Sequence, residues 1–287
     1  MKKYKPMALM LCVLLLAGCA RGGTEIEKKE KKGTEGVSAV TELDSSSQSD
    51  ESTEDTETTT TYDDVNDPDS ELEKEEPEVP TRHEIAVENI MQMPELPFGC
   101  EIVSLTIVLN HLGFNVDKMY MCDNYLTTID YWRANDQLYG PDPHEAFPGS
   151  PKDKHNISGC FSQVIVRAAE NYFRDNNAPY APLNTTGMEL EDLLHTYIDN
   201  DIPVIIWVTS KDLHEIEYKY SWHTADERII NFPTYQHCLV MTGYDTDIGL
   251  IFTADPLVGN TGYDYYKFEQ RYKELGTESL VILPKSQ

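Results

Sequence analysis

Between residues 102 and 112 apolar side chains recur at spacings of three and four (Ile102, Leu105, Leu109, Leu112), with Val103 and Val108 widening the stripe. That period predicts an amphipathic helix. Glu101 suits its positive N-terminal end, and Gly113 stands where a C-terminal cap is expected. His111 falls on the polar stripe with Glu101 and Ser104, which predicts that it is solvated. Residues 123–151 read as loop, with "YGPDPHEAFPGSPKDK" dense in turn formers. Two more helices are predicted. One covers 161–175, with Val164, Val166, Ala168, Ala169 and Tyr172 near its buried side; the other covers 188–198, with Leu190, Leu193, Leu194 and Tyr197. The period then changes. "PVIIWVTS" (203–210), "HCLVMTGYD" (237–245), "LIFTADP" (250–256) and "SLVILP" (279–284) read as strands, the middle two joined by a turn at "DTDIG". Helices before sheet is an α+β order.

The N-terminal third has a different pattern. "MKKYKPMALMLCVLLLAGCA" carries a basic start (Lys2, Lys3, Lys5) and an apolar run, Met7 to Ala17, too short to span a bilayer. Its ending, Leu16-Ala17-Gly18-Cys19, resembles a bacterial lipobox. That resemblance implies a lipoprotein signal over 1–19 that is cut just before the lipobox cysteine, lipidation of Cys19 as the first residue of the mature chain, and an exported bacterial protein held to the outer face of the cytoplasmic membrane. Residues 20–81 are rich in Ser, Thr, Asp and Glu and nearly free of large apolar residues. Such a stretch cannot bury enough surface to offset its ordering entropy, so it is expected to be a disordered tether. Residues 82–287 are expected to form one domain.

The 50 acidic residues against 23 basic ones give a net charge of −27, and about twenty of the acids lie in the tether. The remainder is still acidic, which argues against nucleic acid or an anionic membrane face as partner and is compatible with a cationic peptide. Of six cysteines, Cys12 leaves with the signal and Cys19 carries lipid. Cys100, Cys122, Cys160 and Cys238 remain, too sparse for a disulfide scaffold and without metal-ligand spacing. Whether Cys122 and Cys160 pair stays open.

Cys100 is the first candidate for chemistry. It follows "ELPFG" and heads the predicted helix, where free N–H groups favour a thiolate. His237 begins the strand "HCLVMTGYD", and Asp255 ends the next one in "FTADP". Two antiparallel neighbours would place those ends side by side, so that the aspartate orients the imidazole. Cys238 then points to the opposite face, toward the core.

"LPFGCEIVSLTIVLNHLG", "FPGSP", "GCF", "HCLVMTGYD" and "ADPLVG", in this order, resemble the papain-like cysteine peptidases related to the bacteriocin-leader-processing peptidases, in their stand-alone, exported branch. The resemblance spans residues 84–284. It implies a papain-like α+β fold with helices packed on an antiparallel sheet, a peptide or protein substrate and no cofactor or metal. It also implies Cys100 as nucleophile, His237 as general base and acid, and Asp255 as orienting residue. An oxyanion-hole glutamine upstream of the cysteine is expected as well. Gln92 is the glutamine available, with Pro94 and Pro97 between it and Cys100. Glu95 is nearer, but an ionised carboxylate would repel an oxyanion. Phe98 stands where the family more often has a small or polar residue. His144 and His155 fall in loops, and His214 and His223 lack ligand spacing. The stretch 139–150 either lines a substrate groove or covers the core. Two alternatives stay open at this level: an amidase or acyltransferase acting on cell-wall peptides, and a catalytically silent peptide-binding module.

Overall fold

The computed structural model describes residues 79–285. The signal segment, Cys19 and the tether as far as residue 78 lie outside the described residues. The described chain opens with a short strand, β1 (Arg82–Glu84), and reaches α1 (Cys100–His111) and α2 (Lys118–Tyr125). Four short strands follow: β2 (Thr128–Ile129), β3 (Trp132–Ala134), β4 (Gln137–Tyr139) and β5 (Phe147–Pro148). Next come α3 (Ser162–Asp175), β6 (Tyr180–Asn184), α4 (Leu190–Thr196), a 3-10 turn at Ile198–Asn200, β7 (Val204–Thr209) and the single turn α5 (Ser210–Leu213). The C-terminal part is mostly sheet, with β8 (Tyr218–His223), β9 (Ile229–Pro233), β10 (Gln236–Asp245), β11 (Leu250–Asp255) and β12 (Gly259–Asp264). α6 (Tyr265–Glu274) and β13 (Ser279–Pro284) complete it.

The main sheet runs β12-β11-β10-β7-β13-β6, every neighbour antiparallel. β10 is its axis. The first half pairs with β7 (His237 opposite Val208), the second half with β1, and the other edge with β11 (Val240 opposite Ala254). Strands covered on both faces read as continuous apolar runs, and β7 and most of β10 are buried throughout. A smaller sheet, β3-β4-β8-β9, stands beside it.

α1 packs across β10 as the central helix. Ile102, Val103, Leu105, Ile107, Val108 and Leu109 are all essentially inaccessible. Each such side chain contributes about 1.5–3 kcal/mol of burial free energy, which holds the helix, and Cys100 at its head, as a fixed mount. The helix has no solvated stripe along its first ten residues. Glu101 and Ser104 are buried, contrary to the amphipathic reading, and only His111 of that stripe is exposed. Ser104 Oγ donates to the Cys238 carbonyl (3.2 Å), tying the helix directly to β10.

The predicted helices at 161–175 and 188–198 form as α3 and α4, and the four predicted strands as β7, β10, β11 and β13. The stretch 123–151 is less irregular than its turn formers imply, since α2 runs into it and β2 to β5 lie within it. Asp117 caps α2 by accepting from the Met119 and Tyr120 N–H groups, a local bond that starts a helix without an apolar stripe. The hairpin β8–β9, with β6, β12 and α6, carries no strong apolar period and is legible only in the structure.

Candidate active site

Cys100 is the first residue of α1, preceded by Gly99. A Cβ on Gly99 would lie 2.7 Å from that of Leu96, so the chain can turn tightly into the helix only with glycine there. The first N–H groups of a helix lack intrahelical acceptors, and Cys100 stands at that end of α1.

On β10 and β11, His237 and Asp255 meet as the antiparallel pairing requires. His237 Nε2–H donates to Asp255 Oδ1 at 2.9 Å, and both side chains are almost wholly buried. The carboxylate is further held by Tyr263 Oη (2.7 Å to Oδ2) and the Leu257 N–H (2.7 Å to Oδ1). Burial pushes the Asp255 carboxyl up, but the bonds from His237, Tyr263 and Leu257 outweigh it and leave it below its ordinary value. Burial beside Asp255 pushes the Tyr263 phenol far up, so it stays a neutral donor. With Nε2 fixed on the aspartate, the imidazole turns its other edge toward the cavity.

Gln92 lies in a turn whose backbone is pinned on both sides. Its N–H donates to the Pro256 carbonyl (2.8 Å), and its own carbonyl accepts from Leu96 N–H (3.0 Å) and Lys118 Nζ (3.3 Å). Its side chain is 2% exposed, and Nε2 donates to the Pro97 carbonyl at 2.9 Å, leaving the second amide hydrogen uncommitted. Lys118 also reaches the Met91 carbonyl and the exposed Glu95 carboxylate, so α2 anchors the turn that carries Gln92.

Gln92, Cys100 and His237 line one cavity of roughly 330 Å³. Asp255 sits behind His237. One wall is Asn156 to Gly159; another comes from Tyr220, Phe232 and Pro233 of the β8–β9 hairpin; Phe98 and Leu257 line it as well. The stretch 139–150 does not line this cavity. Its Ala146 and Phe147 are buried, so it covers the core.

The thiol's polar neighbour is Glu101. Cys100 Sγ lies 3.3 Å from Glu101 Oε2, and no hydrogen bond joins the sulfur to the imidazole among the described residues. Burial pushes the Cys100 thiol well above its ordinary range, and the adjoining Glu101 carboxylate pushes the same way. The other carboxyl oxygen, Oε1, accepts from the Cys160 N–H (2.8 Å) and from Gln236 Nε2 (3.4 Å). A Cβ on Gly159 would fall 2.0 Å from that oxygen, so glycine is what leaves room for the carboxyl. The charge of Glu101 predicts a solvent-facing residue; the signal for its burial is the "GCF" glycine facing it. Tyr263 and Lys118 were equally out of reach of sequence spacing, because tertiary contacts alone bring them to the site.

All four cysteines of the domain are free thiols, Cys122 and Cys160 included, and all are buried. Among the described residues no group of three or more His, Cys, Asp or Glu is arranged to hold a metal ion. His144, outside the cavity, bridges Asp142 (3.0 Å from Nδ1) and Glu278 (3.2 Å from Nε2).

Comparison with known proteins fits this architecture. The protein YvpB of Bacillus subtilis (strain 168), itself uncharacterized, is 26% identical over 200 residues, covering 69% of this chain and 74% of that one. A crystal structure of a putative C39-like peptidase from Bacillus anthracis superposes with a TM-score of 0.61 at 24% identity, covering 72% of this chain and 99% of that one. The two share the mixed fold of helices on an antiparallel sheet. A double glycine motif protease from an AMS/PCAT transporter, solved with its leader peptide, aligns at a TM-score of 0.40 and 16% identity over 71% of this chain and 96% of that one, a distance at which no detail transfers. The family model described as "Peptidase_C39 like family" matches residues 84–280, well over half of the sequence, and the chain belongs to that family.

Proposed function

We propose that this chain is a cysteine peptidase that hydrolyses peptide bonds outside the cytoplasmic membrane, anchored there by lipid on Cys19. Cys100 attacks the scissile carbonyl; His237 takes the thiol proton and delivers it to the leaving amine; Asp255 holds the imidazole and stabilises its cationic form. The second amide hydrogen of Gln92 and the N–H groups at the head of α1 stabilise the oxyanion. The observation that carries this reading is the placement of Cys100, Gln92 and the edge of an Asp255-bonded His237 around one cavity. A peptide groove suits that cavity, with apolar walls from Phe98, Phe232 and Leu257.

The test is digestion of a peptide library by the wild type and by Cys100→Ala side by side, with iodoacetamide labelling of the same proteins. Cleavage by the wild type that vanishes in the variant, with alkylation of Cys100 that slows in His237→Ala, is the expected result. Cleavage that survives Cys100→Ala, or a thiol that reacts no faster than a free one, sinks the proposal. For the anchor, a Cys19→Ala chain is expected to leave the membrane fraction; one that stays there removes the lipid from the reading.

A further inference from the structure

Glu101 has no role in the chemistry proposed above, yet it touches the reacting atom. It is 1% exposed, and no lysine or arginine pairs with it among the described residues. The groups facing it are few. Its own helix contributes the Cys100 thiol and the N–H of Glu101 itself; the loop before α3 contributes the Cys160 N–H and thiol; β10 contributes the Gln236 amide and the Cys238 thiol, with His237 and its partner Asp255 beyond.

The hydrogen bonds sort its two oxygens. Oε1 accepts two N–H bonds, from Cys160 and Gln236, which is the pattern of a carbonyl oxygen. Oε2 faces Sγ at 3.3 Å. One proton between them must sit on sulfur or on oxygen. On sulfur, the thiol donates to a carboxylate and is turned away from His237. If both groups lose it, a thiolate and a carboxylate stand in contact, both buried, with no cation between them, the costliest arrangement. On oxygen, Oε2–H donates to the thiolate while His237 holds the thiol's former proton as imidazolium.

Resting on the cysteine-peptidase reading, we infer that Glu101 is a fourth catalytic residue: a neutral carboxylic acid that donates through Oε2–H to the Cys100 thiolate. The reactive site therefore carries one proton on Glu101 and one on His237. Loss of one of them to solvent as the pH rises returns the remaining proton to sulfur, giving thiol, neutral imidazole and carboxylate, and the nucleophile is lost. Burial pushes the Glu101 carboxyl above its ordinary value, the direction this assignment requires, although the bonds from its own N–H, Cys160, Cys100 and Gln236 oppose it.

Glutamine reproduces the neutral acid. Its Oε1 accepts the same two N–H bonds and its Nε2 donates to sulfur, but it has no proton to lose. The experiment is the rate of iodoacetamide alkylation of Cys100 against pH in the full-length wild type and in Glu101→Gln, with Cys100→Ala subtracting the other thiols. In the wild type the rate is expected to pass through a maximum at acid to neutral pH and fall before rising again as the thiol itself ionises. In Glu101→Gln the fall disappears, and near pH 8.5 the variant reacts at least roughly tenfold faster than the wild type. A single rising curve to a plateau in the wild type overturns the inference whether or not the variant folds. So does a fall that persists in Glu101→Gln. If Cys100 is no more reactive than an ordinary thiol at every pH, the peptidase reading fails first and this inference falls with it.

Discussion

Two histidines of this domain are bonded to buried carboxylates, and they illustrate what separates a working imidazole from a structural one. His237 commits only Nε2, to Asp255, and presents its other edge to the cavity beside Cys100. His144 commits both nitrogens, to Asp142 and Glu278, and stacks on Phe161 with ring centroids 4.5 Å apart. A neutral imidazole donates from one nitrogen only, so a ring bonded to two carboxylates is held as imidazolium. Such a ring cannot pass a proton to substrate. His144 instead clasps the loop before β5 onto the start of β13, where Glu278 also accepts from the Ser162 N–H at the head of α3. The number of committed ring nitrogens, not the presence of a carboxylate, distinguishes the two.

Exchanging the fates of the two rings gives the largest expected effect. His237→Ala should lower kcat/KM by about 10²–10⁴, the usual contribution of a general acid–base, while His144→Ala should leave it within about twofold. A His144→Ala loss comparable to that of His237→Ala would erase the distinction.

Next in size is the orienting carboxylate. Asp255→Ala should cost about 10²–10³ in kcat, since the imidazole loses both its fixed orientation and the charge that stabilises its cation. Asp255→Asn keeps an oxygen that accepts from Nε2–H and should recover much of that loss. If the two variants are equally poor, charge dominates; if Asp255→Asn is fully active, orientation does. Kinetics at saturating peptide separates the cases.

How much of this was legible in the sequence follows the kind of contact involved. Cys100, His237 and Asp255 were readable because each stands at the end of an element with a strong apolar period, and antiparallel pairing of β10 and β11 brings the strand ends together without further information. The lipobox and tether readings rest on the sequence alone, as residues before 79 lie outside the described structure. The buried face of Glu101 was hidden because hydropathy places a charged residue in water. α1 is enclosed on nearly every side, and a helix enclosed in this way has no polar stripe to read. Gly159 opens the space for the carboxyl, and that contact joins residues 58 positions apart, beyond any local pattern.

Tyr263 belongs to the same hidden class, and its effect is smaller. Its hydroxyl satisfies Asp255 Oδ2. Tyr263→Phe leaves that oxygen buried with one donor fewer, which costs about 1–2 kcal/mol in stability. A drop of roughly fivefold in kcat with little change in KM is expected, because the carboxylate shifts and carries the imidazole with it. An unchanged kcat would confine Tyr263 to stability.

The smallest effect concerns the clasp and has a definite sign. The Glu278 carboxylate beside His144 raises the imidazole above its ordinary 6.5, with Asp142 adding to it against the opposing effect of burial. That contribution to stability is complete below about pH 6.5 and is lost as pH rises through the folded value. Burial pushes Glu278 up, but the bonds from His144 and Ser162 outweigh it and hold the carboxyl below its ordinary 4.5. Its contribution is therefore present above about pH 4.5 and lost as pH falls through the folded value. Both are in place between those limits. His144→Ala should thus destabilise by about 1 kcal/mol near pH 5.5, a figure kept small because the imidazole is half exposed and screened. Near pH 8 the deficit should shrink, which urea midpoints at the two pH values would show. An equal deficit at both would assign the loss to the Phe161 stack, which has no charge to titrate. His144 would then be a packing residue, and the contrast with His237 would rest on geometry alone.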